Sequence, residues 1–257
     1  MQPVTLDLVP SDTQNPLYAR LHELGLPGNK TEHYRRFSIK PLLARDYSLV
    51  SAAEHTPSTG DALVIENGRV TEIPQRCSVT YASPYDADET HFDALYYLSH
   101  LLAPAVVCIE ITEACRFELR HVIDRAQSLL PYRLCISVAD NVRCEVFETF
   151  TTDGSSESLI LYGIDATVGA HGVLHWVRDQ YTDASHTALV GSHRFDVRAN
   201  GALELKTFDF GSGRALHLYK IDLDTYAWCD AGHLLMASGD AKRGNVVHIN
   251  HNKPYAK

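Results

Sequence analysis

Histidine and cysteine are the side chains of this sequence best suited to chemistry: fourteen histidines, eight of them from His171 onward, and six cysteines. Metal binding is the chemistry such a supply suggests. Cys229 and His233 are four apart, which on an extended strand places them on one face about 13 Å apart, so joint chelation requires a turn at Asp230-Ala231-Gly232. His248 and His251 flank Asn250; at i and i+3 on a strand they point to opposite faces, and shared binding requires a bend. These four are the weak metal-ligand candidates, set against the plainer reading of a small thiol in packing and solvent-facing histidines. No CxxC pair occurs. Cys108 and Cys115 are seven apart and Cys135 and Cys144 nine apart, neither a zinc-site spacing. Cys135 and Cys144 read as buried packing, because a free cysteine behaves as a small hydrophobe. Glu145 and Glu148 read as a solvated strand face rather than an acid/base pair. There is no Gly-x-Ser-x-Gly elbow, no phosphate-binding Gly-x-x-x-x-Gly-Lys loop and no Gly-x-Gly-x-x-Gly, so no catalytic residue is assigned and nucleotide binding is not expected.

The elements that must position these residues are mostly strands. Nine short apolar or alternating runs fill the second half: 134–138, 142–150, 159–164, 172–177, 187–197, 202–210, 215–223, 226–236 and 245–249. Turn signals separate them at Ala139-Asp140-Asn141, Asp153-Gly154, Gly169, Asn200-Gly201, Gly211-Ser212-Gly213 and Gly239-Asp240. Turn-plus-strand phrases return about every 25 to 35 residues, as coils of a solenoid do. Asp140-Asn141 echoes Asn200-Gly201, and 165–168 more weakly echoes 224–227. A jelly roll satisfies the same alternation. Upstream, Leu17, Leu21 and Leu24 predict a helix over 13–25 that stops at Gly25. Thr31 is placed to cap a short turn, and 41–60 reads as irregular surface loop. Asn67-Gly68 predicts a hairpin, and 86–102 reads as the best helix, with acids at its start. Residues 105–111 and 117–123 read as strands.

With 257 residues and a net charge of −9, the chain lacks the basic balance of a nucleic-acid binder; Arg35-Arg36 is short enough to be a solvated face. No run of about 18 apolar residues exists to span a membrane. Residues 1–10 have no basic stretch followed by an apolar core, so no secretory signal is read and a cytoplasmic location with reduced thiols is expected.

Three phrases, in order along the chain, resemble the SufB/SufD family of iron–sulfur cluster assembly proteins, the SufD branch best. The first runs from Gly25-Leu26-Pro27 through Glu32, Tyr34, Arg35, Arg36 and Phe37 to Ser38. Tyr34 stands where the family writes Trp, and Ser38 where it writes Thr. The second is the hairpin region over 60–73. The third is the strand segment carrying Asp140 to Glu148 and Ala166 to His175. The resemblance implies a right-handed parallel β-helix preceded by a small α/β N-terminal region, with a division into 1–104 and 105–257. It implies a non-enzymatic scaffold or accessory role beside SufB-like and SufC-like ATPase partners, with iron or a cluster entering only through a partner complex. The chain stops at Lys257, where the family β-helix is about half complete, so a truncated SufD is expected. The resemblance carries no role onto a residue here, because the family's interface Cys and His and its ATPase-docking helices lie beyond that point. An open end near 245–255 is then expected to pair with a second copy or a SufB-like chain. The alternative from the histidine count is a cupin-like metal enzyme on an antiparallel sandwich, although the His-x-His of that pattern is lacking.

Overall fold

A computed structural model describes residues 1–9, 11–12, 14–50, 56–75, 77–82, 87–152, 157–182 and 187–257. The N-terminal region holds α1 (Pro16–Leu24), α2 (Ile39–Leu43), β1 (Ser48–Leu49), β2 (Ser58–Gly60), β3 (Ala62–Glu66), β4 (Arg69–Pro74), β5 (Ser78–Ala82) and α3 (Ala94–Leu102). The strands β6 (Val106–Ile111), β7 (Cys115–Ile123), β8 (Ser128–Val138), β9 (Arg143–Thr152), β10 (Leu159–Val168), β11 (Val173–Tyr181), β12 (Ala188–Val197), β13 (Ala202–Gly211), β14 (Arg214–Leu223), β15 (Trp228–Ala237) and β16 (Lys242–His251) then follow.

Successive strands go alternately to two sheets, β16-β14-β12-β10-β8-β6-β5 and β15-β13-β11-β9-β7-β3-β4-β2, with β1 beside β8. Every pairing from β6 to β16 is parallel. This is a β-solenoid of about five turns. Antiparallel sheets would have been the mark of the sandwich, so the cupin-like expectation loses its fold. In-register Cys144, Leu174, Leu203 and Cys229 lie 30, 29 and 26 residues apart, which fits the expected period. All nine predicted runs are strands.

A repeated corner sets this period. Asn141, His171, Asn200, Tyr226 and Tyr255 all have left-handed backbone, with φ between 57° and 65°. Asn tolerates this conformation well. The corner at Tyr226 corresponds to that at His171, and Asp165 lies inside β10, so the expected likeness of 165–168 to 224–227 was misaligned.

Period-two alternation sends one face of each strand into the solenoid. Leu134, Ile136 and Val138 meet Ile164, Ala166 and Val168 of the next coil there. The outer face of the β8-β10-β12-β14 sheet is also apolar, through residues such as Leu161, Val190 and Leu218, and the N-terminal region covers it. Leu17 and Leu21 of α1 belong to this second core, whereas Leu24 is exposed. The Asn15 side chain caps α1 through Leu17 N at 2.9 Å, and Gly25 ends it at φ 65°.

Three local expectations change. The helix predicted over 86–102 begins only at Ala94, because Asp93 takes the N-cap and accepts from Leu95 N at 3.2 Å. Asp88 is drawn instead to Thr90 and to Lys220 Nζ on β14, at 2.5 Å from the latter. Thr31 makes no cap bond; its hydroxyl accepts from Gly28 N at 3.1 Å. The stretch read as loop contains α2 and two short strands. Asn67-Gly68 does close the β3-β4 hairpin, which extends the second sheet through β7. Residue 13, residues 51–55, residue 86 and the Asp153-Gly154 turn lie outside the described residues. No helix among them is long and apolar enough to cross a membrane.

Polar contacts seat α3 on the sheet. Buried Arg133 donates to Asp165 Oδ2 at 2.8 Å and Ser192 O at 2.7 Å, and its guanidinium lies over Tyr96 at 4.5 Å. Tyr96 OH donates to Asp165 Oδ1 at 2.8 Å. Gly163 makes the space: a Cβ there would collide with Arg133 Nη1 and with Ser192 O of the backbone. Gly163→Ala is therefore expected to displace a buried ion pair and lower stability by about 3 kcal/mol. Urea denaturation reads this, and an unchanged midpoint contradicts it.

Candidate functional site

The solenoid interior carries a polar layer across its apolar rungs. On one sheet Glu148, Arg178, Thr207 and His233 stack in register. On the facing sheet Tyr132 pairs with Tyr162, Tyr162 with Gly191, Gly191 with His217, and His217 with Asn245. Gly191 is fixed by this layer, because a Cβ there would strike His217 and His193.

Glu148 is the centre. Its Oε1 accepts from Tyr162 OH at 2.6 Å and His121 Nε2 at 3.1 Å. Its Oε2 accepts from Trp176 Nε1 at 2.7 Å and Arg178 Nε at 2.6 Å. Burial pushes its pKa up, but the Arg178 charge and the His121 hydrogen bond outweigh burial and hold the carboxylate well below its usual range. Four donors on one carboxylate satisfy the requirement for burying a charge.

The network also assigns tautomers. His121 donates to Glu148 from Nε2, so its Nδ1 accepts from Tyr132 OH at 3.0 Å. Arg178 Nη1 donates to Tyr219 OH and to His217 Nδ1, both at 2.8 Å. His217 therefore carries its proton on Nε2 and donates to Gln180 Oε1 at 3.0 Å. Burial, with Arg178 nearby, lowers the pKa of His193 and His217, and burial lowers that of His121. All three imidazoles are neutral at pH 7.

Toward the last coil the network loosens. Asp209 is buried with both oxygens unbonded, 3.9 Å from Arg243 Nη1, and burial raises its pKa to about 6 against the pull of Arg178 and Arg243. His233 Nε2, Arg243 Nη1 and the Asn245 amide also have no hydrogen-bond partner among the described residues.

No family model matches this chain, and no curated protein matches it.

The four candidate ligands do not converge. Cys229 and His233 share the inward face of β15, but the strand runs unbroken through Asp230-Ala231-Gly232, and His233 Nδ1 meets Thr207 Oγ1 at 2.7 Å. His248 points outward and stacks on Phe92 with ring centres 4.0 Å apart, while His251 Nδ1 meets Ala256 O at 3.1 Å. Among the described residues no group of three His, Cys, Asp or Glu side chains is placed to hold a metal ion. Cys144 is buried, with its Sγ 3.8 Å from that of Cys115. Cys135, expected in the core, instead lies half-buried on the outer face in register with Cys108, because Leu134 and Ile136 take the inward positions.

Glu148 overturns the expected solvated face: only Glu145 points outward, beside Arg143. The signal was in the sequence, since Cys144, Val146, Glu148 and Phe150 alternate on one face. Leu174, Trp176 and Arg178 place Arg178 the same way.

At the solenoid's last coil, residues after β16 fold back onto β15. Lys257 O accepts from Cys229 N at 2.9 Å, and Tyr255 stacks on Tyr226 with ring centres 4.8 Å apart. The rest of the β15 edge and the outer edge of β16 have no strand beside them among the described residues. Leu234, Leu235 and Met236 are exposed there.

Proposed function

We propose that this chain is a non-enzymatic scaffold or accessory component of iron–sulfur cluster assembly, SufD-like, acting in the cytoplasm with SufB-like and SufC-like partners. The observation that carries this reading is the fold: a parallel β-solenoid behind a small N-terminal region of helices and short strands, the architecture that the ordered Suf-like phrases imply. Exposed strand edges accept another strand, so the edges of β15 and β16 are where a partner strand adds. The ordered Suf-like phrases supply the partner's identity. Iron or a cluster, as cargo, is handled in the partner complex. A scaffold role also agrees with the site, because Glu148 and His121 are sealed from any substrate.

Register gives a selective test. Trp228 N donates to Gly201 O, just before β13, and Cys229 N donates away from β13 to Lys257 O, so by alternation the N–H groups of Ala231 and His233 face away from β13. Ala231→Pro removes one outward donor and spares the β13 pairing. Light scattering at micromolar concentration is expected to show the chain joined to a SufB-like partner or to a second copy. The variant is expected to be folded, with association weakened about tenfold, the loss of about one edge hydrogen bond. A wild-type monomer in the presence of these partners contradicts the proposal.

A further inference from the structure

The phrase over 25–38, which supplied part of the family resemblance, has no role in the last coil's edges. It forms one wall of a groove of about 620 Å³ whose other wall is β16. Arg35 and Arg36 line it, and both are exposed. Among the described residues neither is paired with a carboxylate. Lys242 faces them from β16 and donates to Ser38 Oγ at 2.7 Å. Ser38 is held in left-handed backbone at φ 58°. Arg243 also belongs to the wall, but its guanidinium is turned inward onto Gly211 O and Thr182 O. Three cations thus remain free to meet a ligand. Among the described residues the only acid of the lining is Glu32, in a chain whose net charge is −9. The floor is apolar, with Phe37 and Leu216 both buried.

A solvated Arg-Arg pair on a convex surface needs no explanation. Here the pair sits in a concavity, a third cation is fixed opposite it by the Lys242–Ser38 hydrogen bond, and the low-polarity floor strengthens the field. The volume falls in the range of small-molecule sites, which combine an apolar lining with a few charged groups. We infer that the groove between Arg35-Arg36 and Lys242 binds an organic anion with at least two negative charges and a flat apolar body. Arg35 and Arg36 hold the anionic groups, as guanidinium does with both carboxylate and phosphate. Lys242 adds a point charge, and Phe37 and Leu216 take the apolar body. The groove shares β16 with the partner edge, but small-anion binding is read on the chain alone and strand pairing on the complex, so either can fail without the other.

The test is calorimetric titration of the whole chain at low ionic strength, about 20 mM, where screening is weak. The probes are benzene-1,3,5-tricarboxylate and phenyl phosphate, with neutral benzamide as the comparison. Saturable one-to-one binding of either anion is expected: tricarboxylate alone assigns the site to carboxylates, phenyl phosphate alone to phosphates, and both to anions in general. Arg35→Glu with Arg36→Glu lies on the exposed rim and preserves the fold. It is expected to weaken binding at least about tenfold, whereas Arg143→Glu, on the outer face of β9, leaves it unchanged. Benzamide binding as well as the anions, no saturation by about 10 mM, or equal affinity in the Arg35/Arg36 variant would overturn the inference.

Discussion

Acid is expected to destabilise this protein as the pH falls below about 6.5. His91, His100, His121, His193 and His217 are all buried, and burial lowers the pKa of each. In the unfolded chain each titrates near its ordinary value of about 6.5. Below that pH the unfolded state binds protons that the folded state refuses, so stability present above pH 6.5 is lost as pH falls. For His91, whose folded pKa is lowered to about 3, the loss by pH 5.5 is about 1.4 kcal/mol, and the other four histidines act in the same direction. Asp209 works in the opposite sense. Its folded pKa is raised to about 6, so it favours the fold as pH drops, by about 1 kcal/mol at pH 5.5. Five histidines act against one carboxyl, so the net effect of lowering the pH is destabilising. Glu148 and Asp165, held well below the usual carboxylate range, keep their charge through this window. Guanidinium denaturation at pH 7.5 and 5.5 measures the effect; equal midpoints would contradict the buried, neutral histidine assignment.

Glu148→Ala is expected to cost about 3–5 kcal/mol, the penalty for leaving a buried charge without its partner. Arg178 would be stranded, and His121, Tyr162 and Trp176 would each lose an acceptor. Glu148→Leu combined with Arg178→Met removes both charges and keeps volume, so it recovers a large part of that loss. Chemical denaturation of the three proteins checks this. A Glu148→Ala midpoint within error of wild type would show that the layer is hydrated rather than closed.

Much of this architecture was readable before any coordinates. The nine runs, the recurring turns and the Asn67-Gly68 hairpin depend on local backbone chemistry, and local signals survive in sequence. The solenoid itself was legible only through its period, because strand alternation is the same in a sandwich. The interior charges are hard to read from the sequence for a physical reason. A charged residue in an amphipathic strand is ordinarily solvated, and only the neighbours at i±2 show that Glu148 and Arg178 point inward. Their mutual pairing joins residues 30 apart, which no local pattern reports. The outer face of β10, β12 and β14 was obscured similarly: Leu161, Val190 and Leu218 are buried by a region more than 50 residues upstream. Helix α3 started late because Asp93 outcompetes Asp88 for the cap, a choice decided by Lys220 far along the chain. The histidines drew attention as ligands, yet their positions within β7, β12 and β14 made them parts of the packed layer.

A partner strand is expected to pair with the edges of β15 and β16. Amide hydrogen exchange on β15 and β16, with and without a SufB-like protein, tests it most directly. The outward amides of Ala231 and His233 are expected to exchange fast alone and to slow at least about tenfold in the complex, while β9 and β11 stay unchanged. A complex that forms while those two amides continue to exchange at the free rate would contradict the account.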